Sequence, residues 1–484
     1  MADIVTIQTP SLGDRSYLVT DGTTGFVVDP QRDIDRVLAL AASRGIAVTH
    51  VFETHIHNDY VTGGLALARA TGAAYHVNAA DAVAFDRDPI SDGDVIPVGR
   101  SMRVRVIATP GHTFTHLAYA LEDAFSGDVV GVFTGGSLLH GSAGRPDLLG
   151  ASRAPALAAA QRRSLRRLAA ELPDQAVVYP THGFGSFCAA GPAGAGGAGG
   201  PSGADGAGGP SGADGADGAD GSTIGGERRA NPAFSLDADS YVAGLLAGLD
   251  DYPAYYAQMG PANAAGPTAS DLVPPALSGV AQIRRRIAEG EWVVDLRSRR
   301  AFAAGHLPGS LSFEYGDNLV ANLGWLLPPG TPLTLIGESP GQVADAQRDL
   351  TRIGIDRIAG MAGPPHEWRD EAPHLASYPV SDFSALAAML REQPVAVLDV
   401  RRRLEWSAGH IEGALHVPLH QLPGRLPDLP PDPVWVHCQA GYRASVAASI
   451  LHAAGHVVTA IDDDFSNAER AGLPLTTAPA AAAA

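Results

Sequence analysis

The sequence predicts an α/β protein of three units, and three observations lead to this prediction. In the first half, strand-like apolar runs alternate with helical stretches, and histidine-bearing loops repeatedly follow the strands. A segment rich in Gly, Ala and Asp interrupts that half. The second half contains one α/β unit twice, each copy of roughly 100 residues.

Composition restricts the function classes. The 484 residues carry a formal net charge of -18 without a basic stripe, which argues against nucleic-acid and anionic-membrane partners. We find no secretory signal at the start and no apolar run long enough to span a membrane. Only Cys188 and Cys438 are present, which fits a reducing cytoplasm, so we expect a cytoplasmic protein without membrane contact. The sequence does not determine whether the protein forms a homo-oligomer.

The first unit, residues 1–255, is assigned from alternating strand and helix patterns. The strand-like runs are GFVVDP, VTHVFETH, VRVIATPGH, VVGVFTGG and AVVYPTHG, and helical stretches include DIDRVLALAASRG and APALAAAQRRSLRRLAAEL. Residues 189–226 repeat GPSGADG and lack large apolar side chains, so they predict a disordered insertion. A Pro- and Ala-rich linker is expected at about residues 260–276.

Histidines follow three of the predicted strands. THIHND contains His55, His57 and Asp59, TPGHT contains His112, and PTHG contains His182. Loops at one edge of a sheet bring such side chains together, and imidazole and carboxylate groups are metal ligands. The pattern predicts a metal site.

The second half repeats a unit in register. VVDLRSRRAFAAGHLPGSLSF at 293–313 aligns with VLDVRRRLEWSAGHIEGALHV at 397–417, and both have Asp, then Arg two positions later, then Gly-His. The copies align again in two helices that we expect to end at Gly354 and Gly455. Residues 277–376 and 380–475 are therefore predicted to form equivalent domains.

A cysteine loop follows the strand VWVH in the second copy. The loop runs from Cys438 to Arg443 and leads into the helix ASVAASILHAAG; between its ends stand Gln439, Ala440, Gly441 and Tyr442. Backbone N–H groups at a helix N-terminus, together with the arginine, favour a thiolate. Cys438 is the candidate nucleophile.

This second copy resembles the rhodanese sulfurtransferases in LDVR, GHIEGALHVP and CQAGYR. The resemblance implies a persulfide carried on Cys438 and thiosulfate or a thiol persulfide as sulfur source. The loop has the six-residue length of the sulfur-handling members, which argues against a phosphatase. In the first copy, GESPGQ stands in place of CQAGYR, so Gly337 replaces the cysteine and Gln342 the arginine. We expect that copy to be a scaffold.

The first unit resembles the metallo-β-lactamase fold, an αββα sandwich, and most of all its persulfide dioxygenases. The supporting motifs are THIHNDYVTGG, ATPGHTFTHLAY, GRPDLLG, PTHGFGSFC and STIGGERRANPAF. The resemblance implies one Fe(II) ion that uses O2 to oxidise the sulfane sulfur of a low-molecular-weight persulfide to sulfite. It also implies His55 and His112 as metal ligands.

Two positions depart from that pattern. Tyr60 replaces a histidine of the two-metal hydrolases, which argues against a zinc thioester hydrolase. Gly136 replaces the carboxylate ligand of the dioxygenases. His57 could then be the third ligand, with Asp59 and His182 orienting water or substrate beside the metal or serving as alternative ligands. Alternatively, the site holds zinc or no metal; in the second case the metal domain is degenerate and the protein is a sulfurtransferase only. Cys188 is expected to pack beneath the active-site loop.

Overall fold

The computed structural model describes residues 2–183, 185–190, 222–368, 374–431 and 433–477. The central part of the predicted insertion, residues 191–221, lies outside the described residues. Its ends are ordered, contrary to the prediction for 189–226: residues 189 and 190 form a strand, and a helix begins at Ile224. Both ends have partners, because the strand pairs with residues 143 and 144 and Ile224 N donates to the Ala176 carbonyl.

Two sheets face each other in the N-terminal unit. The first has the order β1-β2-β3-β4-β5-β6. Its strands are β1 (Asp3–Thr9), β2 (Asp14–Thr20), β3 (Thr24–Val28), β4 (Ala47–Phe52), β5 (Ala74–Asn78) and β6 (Asp88–Ile90). The second has the order β13-β10-β9-β8-β7. Its strands are β7 (Val95–Val98), β8 (Met102–Ala108), β9 (Leu117–Asp123), β10 (Val129–Gly135) and β13 (Val177–Pro180).

Helices cover both outer faces, which confirms the predicted αββα sandwich. Apolar side chains of the two sheets, including Phe26, Phe52 and Phe133, form the core between them. The helices α1 (Asp35–Ser43) and α2 (Gly64–Thr71) cover the first sheet. The second is covered by α3 (Ala154–Glu171), which buries Leu157, Leu165 and Leu168 at helical spacing.

Smaller elements complete this unit. A three-stranded sheet contains β11 (Leu138–Leu139), β12 (Ser142–Gly144) and β14 (Ala189–Ala190). The following helices are α4 (Ile224–Ala230), α5 (Pro232–Ser235), α6 (Ala238–Ala247) and α7 (Tyr256–Ala265). Helix α7 occupies the first part of the segment predicted to be a linker, so the linker prediction is wrong for residues 260–265.

The two C-terminal units have parallel sheets of matching order. The second unit has β16-β15-β17-β18, and the third has β22-β20-β23-β24 with β19 added at the edge. The second contains α8 (Val280–Ala288), β15 (Trp292–Asp295), α9 (Arg299–Ala304), β16 (Leu311–Ser312), α10 (Leu319–Leu326), β17 (Leu333–Ile336), α11 (Pro340–Thr351) and β18 (Ile358–Ala362). The third begins with β19 (Val380–Ser381), α12 (Phe383–Glu392), β20 (Ala396–Asp399), α13 (Arg403–Ala408), β21 (His410–Ile411) and β22 (Leu415–His416). It continues with α14 (Leu422–Arg425), β23 (Val434–His437), α15 (Tyr442–Ala453), β24 (Val458–Ile461), α16 (Ser466–Arg470) and β25 (Leu475–Thr476).

The predicted repeat extends to individual hydrogen bonds. Arg297 is paired with Asp295 at 2.7 Å and donates to the Gly305 carbonyl at 2.8 Å. Arg401 is paired with Asp399 at 2.7 Å and donates to the Gly409 carbonyl at 2.7 Å. In each copy, the arginine of the Asp-x-Arg motif thus donates to the glycine carbonyl of the Gly-His motif.

Apolar clusters join the three units. One buried cluster combines residues of both C-terminal sheets, among them Leu335 and Val436. Another brings Tyr60 and Val61 together with Met259 of α7 and Ile353 after α11. No described helix is both long and apolar enough to cross a membrane.

Candidate metal centre and cysteine loop

The loops that follow β4, β8 and β13 bring four histidines together. His55, His57, His112 and His182 are all buried. The ring centroid of His55 lies 4.1 Å from that of His57, 4.8 Å from that of His112 and 5.3 Å from that of His182. The sandwich therefore gathers the histidines that the sequence places at separate strand ends.

Hydrogen bonds orient the lone pairs of His55 and His112. His55 Nδ1 is 2.9 Å from Thr54 Oγ1, and this hydroxyl donates to Asp29 Oδ2 at 2.7 Å, so it accepts the His55 proton. His112 Nδ1 donates to the Arg145 carbonyl at 2.9 Å. Both imidazoles consequently have their lone pair on Nε2. His112 Nε2 has no hydrogen-bond partner among the described residues.

His57 has the opposite arrangement. Its Nε2 is 3.3 Å from Asp29 Oδ1, 3.3 Å from Glu53 Oε2 and 3.0 Å from the Tyr60 hydroxyl. Three oxygens around Nε2 keep a proton there, so Nδ1 offers a lone pair only after it loses its own proton. Within the described structure Nδ1 has no hydrogen-bond partner, and it lies 3.9 Å from Asp59 Oδ1.

His182 is closer to the centre than the sequence suggests. Donor atoms of His55, His112 and His182 all lie within 4.8 Å of one another, whereas His57 belongs to a neighbouring group with Asp59 and His182. His182 Nδ1 donates to Asp14 Oδ1 at 2.9 Å, and its Nε2 is 3.4 Å from His55 Nε2. The donor atoms of His182 thus group both with those of His55 and His112 and with those of His57 and Asp59.

Burial and neighbouring carboxylates divide these imidazoles into two kinds. Burial lowers the pKa of His112 to about 3 and that of His55 well below its usual range, so both are neutral. Burial also opposes protonation of His57, but Asp29 and Glu53 raise its pKa to about 9. The central pair is already in the form that binds metals.

Unpaired buried donor atoms indicate that the site fits a metal ion. Among the described residues, His57 Nδ1 and His112 Nε2 are buried without a hydrogen-bond partner, and Asp59 Oδ2 lies 3.1 Å from His182 Nδ1. Buried polar atoms without partners are rare in folded proteins, and imidazoles with carboxylates are suitable ligands for first-row metals. The residues form a metal-binding cluster.

The two departures seen in the sequence have structural consequences. The Tyr60 ring stacks on His57 with centroids 4.3 Å apart, and its hydroxyl donates to the Asp29 carbonyl at 3.3 Å. A Cβ atom on Gly136 would lie 2.3 Å from His112 Cδ2. A side chain at this position therefore requires His112 to move.

Several supporting residues escaped the sequence analysis. Asp29 adopts φ of +49°, rare for a residue other than glycine, directly after β3 and accepts from Thr54 and Thr181. His116 accepts from Gly136 N at 3.1 Å and pairs through Nδ1 with Thr109, so both of its nitrogens are used. The sequence signal for Asp29 is its position at the end of the predicted strand GFVVDP.

The cysteine loop lies at the end of β23 in the third unit. Cys438 is buried, and the Gly441 N–H donates to its Sγ at 3.1 Å. Gly441 has φ of +94°, and α15 begins at the next residue, Tyr442. The Gln439 carbonyl accepts from Phe465 N at 2.7 Å, while Ala440 is buried in the loop. The loop thus folds back so that its Gly441 N–H reaches the thiol.

Arg443 is buried and forms an ion pair with Glu405. Its Nη1 and Nη2 donate to the two oxygens of Glu405 at 2.7 and 2.8 Å. This bidentate contact fixes the guanidinium and offsets its charge. The motif predicts an arginine that favours the thiolate, but it gives no sign of Glu405, which offsets the charge of Arg443.

In the equivalent loop of the second unit, the Gln342 side chain is hydrogen-bonded to the loop backbone. Gln342 Oε1 accepts from Glu338 N at 2.8 Å, and a Cβ atom on Gly337 would lie 2.8 Å from Val343 Cγ2. The loop contains no cysteine, and its Ser339 caps α11 by accepting from Gln342 N at 3.2 Å.

Cys188 packs in the interior. It is fully buried, and its Sγ lies 3.9 Å from the Tyr256 hydroxyl. Burial raises the pKa of this thiol well above its usual range, which favours the packing role expected from the sequence.

Comparison with known proteins agrees with this architecture. Residues 14–182 match the metallo-beta-lactamase superfamily, and residues 382–471 match the rhodanese-like domain. A crystal structure of a metallo-beta-lactamase from Staphylococcus aureus subsp. aureus COL superposes with a TM-score of 0.62 at 27% identity. It covers 75% of this chain and 99% of the other.

Curated relatives match the N-terminal unit. Hydroxyacylglutathione hydrolase of Polaromonas sp. is 32% identical over 174 residues, which is 35% of this chain and 62% of that protein. The enzyme of the same name from Maricaulis maris is 31% identical over 196 residues, which is 38% of this chain and 67% of that protein. The chain therefore spans about three fifths to two thirds of these relatives. It belongs to the metallo-β-lactamase superfamily and carries a C-terminal rhodanese-like domain.

Proposed function

We propose that this protein is a sulfur-metabolism enzyme with two centres: a metal-dependent persulfide dioxygenase in residues 1–255 and a sulfurtransferase in residues 380–475. The observation that carries the proposal is the pairing, in one chain, of two features. One is a buried imidazole cluster with unpaired donor atoms, and the other is a thiol that receives a backbone hydrogen bond. Residues 277–376 act as a scaffold with the same sheet order.

The metal-dependent reaction is oxidation of a low-molecular-weight thiol persulfide. In balanced form, RSSH, O2 and H2O give RSH and H2SO3. His55 and His112 would hold the metal together with His182 or His57, whose outer nitrogens are fixed by carboxylates. A single Fe(II) ion, when bound, supplies a site at which O2 and the persulfide sulfur meet. The protein itself orients the imidazoles, keeps the central pair neutral and shields the site from bulk water.

Sulfur transfer uses Cys438. The thiolate attacks the sulfane sulfur of thiosulfate; a new S–S bond forms on Cys438 as the S–S bond of thiosulfate breaks and sulfite leaves. An acceptor thiolate then takes the sulfane sulfur and releases the Cys438 thiolate. The Gly441 N–H, 3.1 Å from Sγ, stabilises the anionic sulfur in both steps.

Two other functions have specific support. Gly136 removes the usual carboxylate ligand, which favours a sulfurtransferase with a metal domain that is inactive. The curated relatives carry the name hydroxyacylglutathione hydrolase, which favours a zinc-dependent thioester hydrolase. Tyr60 argues against the hydrolase. The two-metal hydrolases have a histidine at this position that binds the second metal, whereas the Tyr60 ring stacks on His57.

Oxygen uptake with glutathione persulfide separates these functions. The dioxygenase is expected to consume one O2 per sulfite formed, and His112→Ala should abolish uptake while leaving sulfur transfer by Cys438 intact. Thiocyanate formation from thiosulfate and cyanide without any oxygen uptake would support the transferase alone. Cleavage of S-lactoylglutathione that depends on zinc would support the hydrolase.

A further inference from the structure

Asn263 lies in helix α7, outside the elements that carry the histidines. Its side chain is buried, with 1% of its surface exposed. The helix follows the N-terminal sandwich and packs Met259 beside Tyr60 and Val61. Asn263 therefore faces the histidine loop, defined here as residues 53–64.

The Asn263 side chain makes three hydrogen bonds, and all three are to backbone groups of the histidine loop. Nδ2 donates to the His57 carbonyl at 2.8 Å and to the Tyr60 carbonyl at 2.8 Å. Oδ1 accepts from Thr62 N at 2.9 Å. One side chain thereby satisfies three buried backbone groups and fixes the backbone on both sides of Asp59.

The second unit holds the same loop from another side. Val61 N donates to the Arg352 carbonyl, directly after α11, at 2.7 Å. The Arg352 guanidinium is paired with Asp33 at 2.7 Å, and both side chains are almost fully buried. The backbone of the histidine loop is thus hydrogen-bonded both to α7 and to the residue that follows α11.

We propose that Asn263 is a positioning residue for the metal centre, and that the second unit, which lacks a cysteine, holds the histidine loop in its metal-binding form. The inference rests on the metal site of the proposed function. The side chains of His57 and Asp59 extend from the backbone that Asn263 holds on both sides of Asp59, so this backbone sets where their donor atoms lie. Loss of this support displaces donor atoms without removing any of them.

The test is cobalt(II) binding to the full-length protein, measured by competition with a chromophoric chelator and by the d–d absorption spectrum. Asn263→Ala is expected to weaken the affinity by about 10- to 100-fold and to alter the spectrum, as for other residues that orient metal ligands. Gln258→Ala, at an exposed position of the same helix, is the matched control and should bind as wild type. Thiocyanate formation through Cys438 should be unchanged in both variants.

Three results would decide against the inference or its basis. An Asn263→Ala protein with wild-type affinity and spectrum overturns the positioning role. If that variant does not fold, Asn263→Ser, which keeps a single donor, replaces it, and unchanged cobalt binding then overturns the role in the same way. A wild-type protein that binds no cobalt contradicts the proposed metal site itself, which is a separate failure.

Discussion

The contact between Glu405 and Arg443 allows a quantitative prediction. Both Glu405 oxygens receive Arg443 N–H groups, and Oε2 also accepts from Arg402 N at 3.0 Å. The Arg443 side chain is 6% exposed and that of Glu405 20%. Glu405→Gln removes the negative charge but keeps the shape of the side chain.

The expected loss follows from burial. Removing one partner of a buried ion pair costs about 3–5 kcal/mol. Glutamine retains one oxygen that can accept from Arg443, and a fifth of the Glu405 side chain is in contact with solvent. We therefore expect Glu405→Gln to lower the free energy of unfolding by about 2 kcal/mol, less than the full penalty.

The loss should depend on pH. Burial raises the pKa of the Glu405 carboxyl, but the charge of Arg443 more than offsets it and holds that pKa well below its usual range. A lowered folded-state pKa contributes stability above the unfolded value of about 4.3, and this contribution is lost as the pH falls toward the folded value. The difference between wild type and variant should be largest at neutral pH and shrink below about pH 4.

Urea unfolding of the full-length protein at pH 7 and at pH 3.5 measures both effects. The exposed Glu412→Gln in the same domain is the control and should change stability by less than about 0.5 kcal/mol. A Glu405→Gln difference as small as that of the control, or one equal at both pH values, would refute this reasoning.

Three further changes concern the cysteine loops. Cys438→Ser should abolish thiocyanate formation from thiosulfate while metal content stays at the wild-type value; residual transfer would point to another nucleophile. Gly441→Ala should cost about 1–3 kcal/mol and most of the transfer activity, because φ is +94° and the new Cβ would lie 2.3 Å from Asp462 Oδ1; a stable, active variant contradicts this account. Introducing Gly337→Cys with Gln342→Arg into Cys438→Ser should not restore thiocyanate formation, since a Cβ at 337 would lie 2.8 Å from Val343 Cγ2; recovered activity would show that the second unit keeps a usable loop.

Local patterns account for the parts of the site that the sequence predicts. His55, His112 and His182 follow apolar strands, and a sandwich fold necessarily gathers such loops at one edge. The Asp-x-Arg and Gly-His signatures recur because each forms the same buried contact, from Arg297 to Gly305 and from Arg401 to Gly409. Cys438 is identifiable because strand, loop and helix are consecutive in the chain.

The parts that the sequence does not predict depend on contacts between distant residues. Asn263 lies in a segment whose Pro and Ala content suggests a linker, and its partners are about 200 positions earlier in the chain. In the sequence, nothing distinguishes Glu405 from the other acidic residues, because its contact with Arg443 forms only in the folded protein. The central position of His182 depends on Asp14, 168 residues away, which no spacing rule connects to it.

Metal content distinguishes a metal-dependent dioxygenase from a sulfurtransferase with an inactive metal domain. Protein purified without oxygen is analysed for iron and zinc beside His112→Ala, with thiocyanate formation as the measure of intact fold. We expect close to one iron ion per chain, lost in the variant while sulfur transfer continues. A wild-type protein that transfers sulfur but holds no metal, or that holds two zinc ions, would contradict this expectation.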